Sequence, residues 1–439
     1  MEQIAEYKQR RQAVFNQMEK SSALVLWSGE ERKRSNDTHY RFRVDSDFVY
    51  LTGFTEPEAW LYLEKDSAGK TRTILFCRPR DPEKEQWDGR RLGAEAAPHA
   101  LGIDAAFILE HLAAQMAASL IEIEQLYYQK FRYPKVDTTV SEWTRALQGK
   151  IRSGVVPLSL FASSDVLIHP LRQIKTTFEI EKMAKAASIS AQGHCAAMRR
   201  CRPDLFEYQL EAQLLNVFVD HGSFSPAYNT IVAGGANACI LHYIDNQERL
   251  RAGDLVLIDA GAELDYYAGD ITRTFPVSGK FSAEQSALYS IVLEAQQQAI
   301  DCVRPGATFM DPHEVTLKVL VQGLIDLGWL KGEVSSLIEQ QAYRPFYMHR
   351  TSHWLGIDVH DVGAYKENGK WIALRSGMVM TIEPGLYISA DNHNVPEAFR
   401  GIGIRIEDDV AITENGHHVL TAAVPKSIIE IEALMAASA

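Results

Sequence analysis

The sequence predicts an α+β C-terminal domain preceded by a smaller α/β N-terminal domain. With 439 residues the chain is longer than a typical single domain and can bury two cores. Over residues 22–77, short apolar runs such as 23–27 and 48–51 alternate with polar and Gly/Pro segments, which predicts strands interleaved with helices. Farther on, long helical patterns are combined with strand-like runs, which is typical of an α+β domain. We place the two domains at residues 1–174 and 175–439.

The boundary is a change of pattern before residue 175. Residues 151–175 are irregular and contain Pro157 and Pro170. A helix follows, because Thr176 and Glu179 have the spacing of a capping box.

The second domain is expected to contain three further helices and four strands. The first helix covers residues 206–222, and the second begins with Ser282 and Gln285. The third begins with Asp311 and Pro312 and ends before Gly328. The strands cover residues 255–258, 271–277, 378–382 and 402–410.

Charge and cysteine usage narrow the class of protein. Lys and Arg number 45 and Asp and Glu 57, so the net charge is −12, without a long basic run that could neutralise a phosphate backbone. The five cysteines show no CxxC spacing, which favours neither a disulfide framework nor a thiolate metal site. The N-terminus is charged, and no apolar stretch approaches the about 18 residues of a membrane helix. We expect a soluble cytoplasmic protein without a nucleic-acid or membrane partner.

Two carboxylates belong to neighbouring predicted strands. Asp259 follows the apolar run 255–258, and Asp270 lies eleven residues later. If the residues around Leu264 and Asp265 form the turn of a hairpin, both carboxylates arrive side by side.

A second pair comes from the C-terminal strands. Glu383 follows the run 378–382, and Pro384 favours an extended backbone before it. In residues 402–407 isoleucines alternate with polar residues, so Arg405 and Glu407 share the face opposite the isoleucines. That face is expected to be polar and enclosed.

Four such acids would be costly to bury without a positive partner. A pair of divalent ions would compensate them, and oxygen ligands with one imidazole and no thiolate suit Mn²⁺, Co²⁺ or Zn²⁺. Taken singly, each acid is more often a helix cap, a turn residue or an ion-pair partner than a metal ligand.

The histidines are ambiguous by themselves, since the chain has 14. His349 and His353 have the spacing of a helical zinc pair, but Arg350 stands where that motif requires glutamate, so this interpretation fails. His242, alone, would be structural, and His360 lies in an acidic segment close to His353.

Taken together, these residues resemble one family. The resemblance is carried by residues 229–232, 241–243, 259–261, 270–274, 349–360, 383–385 and 405–408, with 36–37 and 86–91 in the N-terminal domain. In identity and order they resemble the pita-bread metallopeptidases, in particular their bacterial aminopeptidase P branch, over nearly the whole chain. The resemblance implies a pita-bread catalytic domain, removal of the N-terminal residue preceding proline from peptides, and a homodimer or homotetramer.

The resemblance also implies a dinuclear centre with a bridging hydroxide. Two Mn²⁺ ions are implied, with Co²⁺ or Zn²⁺ as alternatives, and Asp270 and Glu407 would bridge them. The implied ligands are Asp259, Asp270, His353, Glu383 and Glu407.

Further roles follow from the same resemblance. Glu383 would pass the proton of the nucleophile to the leaving amine. His242 and His360 would hydrogen-bond the substrate carbonyl, His349 would line the proline pocket, and Arg405 would steady the carboxylates. Substrate-binding residues would be Asp37, Trp87, Tyr228 and Tyr387, with Asp37 and Trp87 at the edge of a neighbouring subunit's cleft.

Arg350 departs from the family pattern, in which glycine usually follows the first histidine of this segment. If the position needs a positive φ, arginine costs about 1–2 kcal/mol there. Turned inward, its charge would disfavour a protonated His349. We expect Arg350 to point outward along the cleft and to affect substrate choice.

Other functions remain alternatives. A prolidase has the same fold but accepts only Xaa-Pro dipeptides, whose free carboxylate a cation such as Arg350 would hold. A non-catalytic pita-bread binding protein or a metal-free creatinase-like hydrolase fits less well, because all five ligand-type residues are present. A methionine aminopeptidase would not need the long N-terminal domain.

Overall fold

The computed structural model describes residues 2–437, and the chain divides into two compact units between Leu171 and Arg172. The N-terminal unit contains a six-stranded mixed sheet in the order β6-β5-β4-β1-β7-β8, in which only the β1–β4 and β4–β5 pairs are antiparallel. Its strands are β1 (Ser22–Trp27), β2 (Lys33–Ser35), β3 (Thr38–His39), β4 (Trp60–Lys65), β5 (Thr71–Cys77), β6 (Ala105–Ile108), β7 (Gln125–Tyr128) and β8 (Leu160–Ser163). Its helices are α1 (Glu2–Gln17), α2 (Ser46–Thr52), α3 (Pro82–Asp88), α4 (Gly93–Leu101), α5 (Leu112–Ser119), α6 (Pro134–Gln148) and α7 (Asp165–Gln173), the last of which crosses the division.

The two apolar runs predicted in this unit differ in structure. Residues 23–27 lie in β1, which is buried throughout, as expected of a central strand covered on both faces. Residues 48–51 lie in helix α2, because the Asp45 side chain accepts the Phe48 N–H and Gly53 ends the helix with a left-handed backbone. A run of four apolar residues is compatible with a helix or a strand, and here the two caps determine that it is a helix.

The C-terminal unit is built from long helices and several small antiparallel sheets. The sheets have the orders β10-β11-β14, β13-β12-β9, β17-β20-β21, β18-β19 and β15-β16. The helices are α8 (Thr177–Arg200), α9 (Glu207–Asp220), α10 (Ala283–Asp301), α11 (Asp311–Asp326), α12 (Val334–Glu339) and α13 (Ile428–Ala436). The strands are β9 (Ser225–Pro226), β10 (Ile231–Gly234), β11 (Leu255–Asp259), β12 (Ala262–Leu264), β13 (Tyr267–Ala268), β14 (Thr272–Pro276), β15 (Lys366–Glu367), β16 (Lys370–Trp371), β17 (Val379–Ile382), β18 (Gly385–Ile388), β19 (Ile402–Arg405), β20 (Asp408–Ile412) and β21 (His417–Val419).

The predicted helix starts are confirmed. Thr176 and Ser282 cap α8 and α10 through complete capping boxes with Glu179 and Gln285. Helix α11 begins at Asp311 itself, because the Asp311 carboxylate turns back to the N–H of Thr308 and does not cap the helix.

The predicted hairpin between Asp259 and Asp270 is confirmed. Strands β11 and β14 pair antiparallel, with Asp259 opposite Thr272, and β12 and β13 form the tip. The turn residues Asp265 and Tyr266 both have positive φ, as a tight hairpin turn requires.

The predicted strand 402–410 is interrupted at Ile406 and Glu407. Strand β19 pairs with β18, whereas β20 pairs with β17, so the chain changes partner at this point. The N–H of Glu407 instead donates to the carbonyl of Thr272 in β14. The break brings Glu407 to the hairpin that carries Asp270, on a polar face that is buried as predicted.

In the described part of the chain all five cysteines are free, and none of the helices has the length and apolar character needed to cross a membrane.

Candidate active site

A cavity of about 500 Å³ lies in the C-terminal unit. Besides apolar residues such as Ile231 and Leu241, it is lined by the side chains in which the sequence predicts chemistry. These are Tyr228, His242, Asp259, Asp270, His349, Arg350, His353, His360, Glu383, Arg405 and Glu407.

Three ligand-type residues meet at the centre of the cluster. Asp270, His353 and Glu407 each offer a ligand atom, and these atoms lie within 4.8 Å of one another. Nε2 of His353 is 3.4 Å from Oδ2 of Asp270 and 3.7 Å from Oε1 of Glu383. The residues just before β14, the loop after α12 and the ends of β17 and β19 therefore bring these groups to one point.

The His353 imidazole is oriented so that Nε2 faces the carboxylates. Its Nδ1 lies 2.9 Å from the carbonyl oxygen of Trp354, and a carbonyl only accepts, so Nδ1 carries a hydrogen. A backbone carbonyl that fixes the ring in this way is a usual partner of metal-binding histidines.

Asp259 is bound to the cluster through two polar side chains. Tyr228 Oη is 2.6 Å from Oδ1 of Asp259 and 2.5 Å from Oδ1 of Asp270. Arg405 donates from Nη2 to Oδ2 of Asp259 at 2.6 Å and from Nε to Oγ1 of Thr272. Tyr228 has a single hydroxyl hydrogen, so it can donate to Asp259 or to Asp270 but not to both at once.

The pKa values of the buried acids reflect an excess of negative charge. Burial and the nearby carboxylates of Asp270 and Glu383 raise the pKa of Glu407 well above its usual range. Burial raises the pKa of Glu383 to about 7, although the charges of His353 and Arg405 oppose the shift. Burial lowers the pKa of His353, but the hydrogen bond to Asp270 and the negative charges of Glu383 and Asp270 together outweigh this effect and raise the pKa to about 9.

This donor set fits divalent cations. Closely spaced buried carboxylates whose ionised forms are disfavoured, together with one imidazole nitrogen, are the hard ligands that Mn²⁺ or Zn²⁺ accepts. A second group, Asp47, Asp165 and His169, lies in the N-terminal unit. There the Arg132 guanidinium donates to Asp47 at 2.8 Å and to Asp165 at 3.2 Å, so a cation is already built in.

His349 is held by the protein at both ring nitrogens. Nδ1 donates to the carbonyl of Arg350 at 2.8 Å, so Nε2 accepts from the Tyr387 hydroxyl at 2.8 Å. Tyr387 in turn accepts from Nη1 of Arg405. Burial and the charge of Arg405 lower the pKa of His349 to about 3, so the imidazole is a neutral wall of the cavity.

Tyr387, expected among the substrate-binding residues, is 2% exposed and does not line the cavity. Its hydroxyl lies between Arg405 and His349 and bonds to both. The Tyr228 hydroxyl is likewise occupied as a donor by Asp259 and Asp270.

His242 and His360 line the cavity with accessible imidazoles. The rings of His353 and His360 lie edge to face with centroids 4.4 Å apart. Burial and the neighbouring His353 lower the pKa of His360, which favours a neutral ring that can donate one hydrogen bond.

The remaining predicted residues have other surroundings. Asp37 lies in the exposed turn between β2 and β3, and Trp87 lies in α3 with 88% of its surface exposed, both in the N-terminal unit. Arg350 has no positive φ, so the strain considered from the sequence is absent. Its guanidinium lies over the Trp371 ring at 5.2 Å. The low pKa of His349 comes from burial and Arg405, not from Arg350.

Several supporting residues escaped the sequence analysis. Thr272 donates to Oε2 of Glu407 at 2.7 Å, and Asp409 accepts the N–H of Asp270 at 3.0 Å. The consecutive acids after Glu407 in a buried strand were a signal for Asp409. Glu207 accepts a hydrogen bond from Tyr243, the neighbour of His242. The sequence gave no indication of this role, because glutamate is common in the first turn of a helix.

Carboxylates and an imidazole gathered in a cavity of an α+β unit are the arrangement of a metal-dependent hydrolase. The chain belongs to metallopeptidase family M24, whose model matches residues 181–414. The model "Aminopeptidase P, N-terminal domain" matches residues 7–127. These matches confirm the predicted fold class, a pita-bread domain preceded by a smaller α/β domain.

Individual proteins extend this similarity over the whole length. The Xaa-Pro aminopeptidase of Haemophilus influenzae is 49% identical over 98% of this chain and 97% of its own. The aminopeptidase PepP of Pseudomonas aeruginosa superposes with a TM-score of 0.97 at 47% identity, covering 99% and 98% of the two chains. Zinc-substituted Escherichia coli aminopeptidase P in complex with product also superposes with a TM-score of 0.97, at 45% identity and 99% coverage of both chains.

Proposed function

We propose that this chain is a dinuclear metal-dependent aminopeptidase that hydrolyses the N-terminal Xaa-Pro bond of peptides. The observation that carries the proposal is the convergence of Asp270, His353 and Glu407, with Glu383 beside them, in one cavity. The printed names of the full-length relatives support the substrate class.

The five residues that would hold the ions are Asp259, Asp270, His353, Glu383 and Glu407. Mn²⁺ is proposed, with Co²⁺ and Zn²⁺ as alternatives. Two divalent ions held by these residues would supply Lewis-acid chemistry and an activated water for peptide-bond hydrolysis.

Glu383 is proposed to move the proton. Its carboxylate lies 3.7 Å from both Nε2 of His353 and Nδ1 of His349. At this position the carboxylate can accept the proton of the nucleophile and donate it to the leaving amine.

The histidines on the wall are proposed to recognise the substrate. His242 and His360 donate to the carbonyl oxygen as negative charge develops on it. His349, neutral and fixed by Tyr387, presents an uncharged ring edge to the proline. Arg405 holds the Asp259 carboxylate in place by donating to its Oδ2.

The N-terminal domain is proposed to control substrate access and to form oligomer contacts. Asp37 and Trp87 would reach a neighbouring subunit's cleft in a homodimer or homotetramer. Trp87 is an exposed aromatic of the kind that oligomer interfaces use. A cytoplasmic location is proposed from the sparse, unpaired cysteines.

The test compares an Xaa-Pro dipeptide with an Xaa-Pro-Xaa tripeptide, assayed after chelation and again after Mn²⁺ is added. We expect both activities to disappear on chelation and the tripeptide activity to return with Mn²⁺. Glu383→Gln removes the proton carrier and should abolish turnover. Glu414→Gln, the same exchange at an exposed glutamate, is the control.

Other outcomes identify the alternatives. Cleavage of the dipeptide alone would replace the proposal with a prolidase. Less than about one equivalent of tightly bound divalent ion after loading, without cleavage, would indicate a non-catalytic binding protein.

A further inference from the structure

The rim of the cavity beside His349 carries an unneutralised positive charge. Arg350 lines the cavity and is exposed. Among the described residues no carboxylate forms an ion pair with its guanidinium. The acids of the cavity wall are bonded elsewhere, Asp259 to Arg405 and Glu407 to Thr272.

The guanidinium is held in place from below by an aromatic ring. Arg350 lies over Trp371 at 5.2 Å from the ring centroid, and Lys366 lies over the same ring at 4.3 Å. Trp371 and Lys366 belong to the β15–β16 hairpin, where they are opposite each other. A guanidinium over an aromatic ring keeps its N–H groups free to hydrogen-bond a second partner, because the attraction to the ring face uses its charge and not its hydrogen-bond donors.

The positive charges of Arg350 and Lys366 over Trp371 favour a negatively charged ligand at this rim. A planar guanidinium with free N–H groups is suited to a carboxylate, which it binds through two parallel hydrogen bonds. A peptide substrate carries its positive amine at the end that is removed, and a cation repels that end. A negative group that meets Arg350 therefore lies on the proline side of the scissile bond.

We propose that Arg350, supported by Trp371 and Lys366, binds a substrate carboxylate on the proline side of the scissile bond. The carboxylate is the free C-terminus of a short peptide or the side chain of an acidic residue after proline. This inference rests on the proposed aminopeptidase function and makes the enzyme selective for anionic peptides.

The experiment measures kcat/KM of the Mn²⁺-loaded full-length enzyme with matched peptides. The first pair is Ala-Pro-Ala and its C-terminal amide, and the second is the amides of Ala-Pro-Asp and Ala-Pro-Asn. We expect the charged member of each pair to be preferred, and Arg350→Gln to lower kcat/KM for the charged members by about tenfold while the neutral members are unchanged. The first pair reports a C-terminal carboxylate and the second an acidic side chain.

Matched variants separate charge from shape. Arg350→Lys should recover part of the preference, since it keeps the charge without the planar fork. Lys366→Gln should reduce the preference by a smaller factor. Lys370→Gln removes a lysine of the same hairpin that is not over Trp371, and should leave it intact. High salt should weaken the preference in the wild type and not in Arg350→Gln.

Three results would overturn the inference. If Arg350→Gln lowers cleavage of charged and neutral peptides equally, Arg350 acts on the site and not on a carboxylate. If the effect appears only between the amides of Asp-Pro-Ala and Asn-Pro-Ala, the bound carboxylate is on the wrong side of the bond. Absence of cleavage of every Xaa-Pro peptide by the wild type would reject the proposed function itself, and this inference with it.

Discussion

Replacing Gly261 by alanine should push apart the hairpin that carries Asp259 and Asp270. A Cβ at Gly261 would lie 1.6 Å from the carbonyl oxygen of Gly269, whereas ordinary contacts begin at 3.4 Å, so the backbones must separate by about 1.8 Å. The flanking hydrogen bonds from Gly269 to Ala262 and from Ala260 to Ile271 would stretch. Overpacking costs about 1–3 kcal/mol and each of the two weakened bonds about 1 kcal/mol, so unfolding should become about 3–5 kcal/mol easier.

The functional loss should exceed the loss of stability. Asp259 and Asp270 flank the point of collision, and a displacement of about 1 Å at a catalytic site can cost about 100-fold in rate. Urea unfolding of the metal-free protein, Mn²⁺ binding isotherms and kcat/KM would be compared among wild type, Gly261→Ala and Gly416→Ala. The added methyl at Gly416 meets nothing within 4 Å, so that variant should match the wild type. Unchanged Mn²⁺ affinity and stability in Gly261→Ala would refute the reasoning.

Two further predictions concern buried side chains behind the cavity. Glu207 accepts four hydrogen bonds, from Gly234, Asn237, Tyr243 and Glu248, so Glu207→Gln leaves two donors without an acceptor. We expect it to cost about 2–4 kcal/mol of stability and to lower kcat by displacing His242, next to Tyr243, with unchanged Mn²⁺ content; a loss equal to that of the exposed Glu414→Gln would contradict this. Burial lowers the pKa of His194 to about 4, against about 6.5 unfolded, so its contribution is full above pH 6.5 and about 2 kcal/mol of it should be lost by pH 5. In His194→Gln, which keeps a donor for the Ala260 carbonyl, urea unfolding should lose less stability between pH 7 and pH 5; an unchanged pH slope would count against it.

The sequence predicted those elements of the fold that depend only on residues close together in the chain. Thr176 and Ser282 predicted helix starts because a capping box is satisfied within four residues. The hairpin before Asp270 was predictable because its turn residues and apolar strands are adjacent in the chain. The run 48–51 was not, since helix and strand differ there only in the caps at Asp45 and Gly53.

The site was predictable in composition but not in its supports. The acids of the cluster could be recognised in the sequence because a carboxylate in a buried strand is costly without a positive partner. Their partners come from distant segments, as when the Arg405 guanidinium reaches Asp259 or the Tyr228 hydroxyl reaches Asp270. No spacing rule connects such residues, and the interruption of the strand at Glu407 depends on pairing with two different strands.

His349 lies near two arginines, Arg405 and Arg350, whose charges have different partners. On its inner side Arg405 neutralises Asp259 and, with burial, keeps the His349 imidazole uncharged. On its outer side the Arg350 guanidinium lies over the Trp371 ring and forms no ion pair with a carboxylate among residues 2–437, which leaves its hydrogen-bond donors available. A neutral histidine between the two cations avoids a third positive charge that would repel both. Changes to Arg350 should therefore alter which peptides bind, whereas changes to Arg405 should disturb the carboxylate cluster itself.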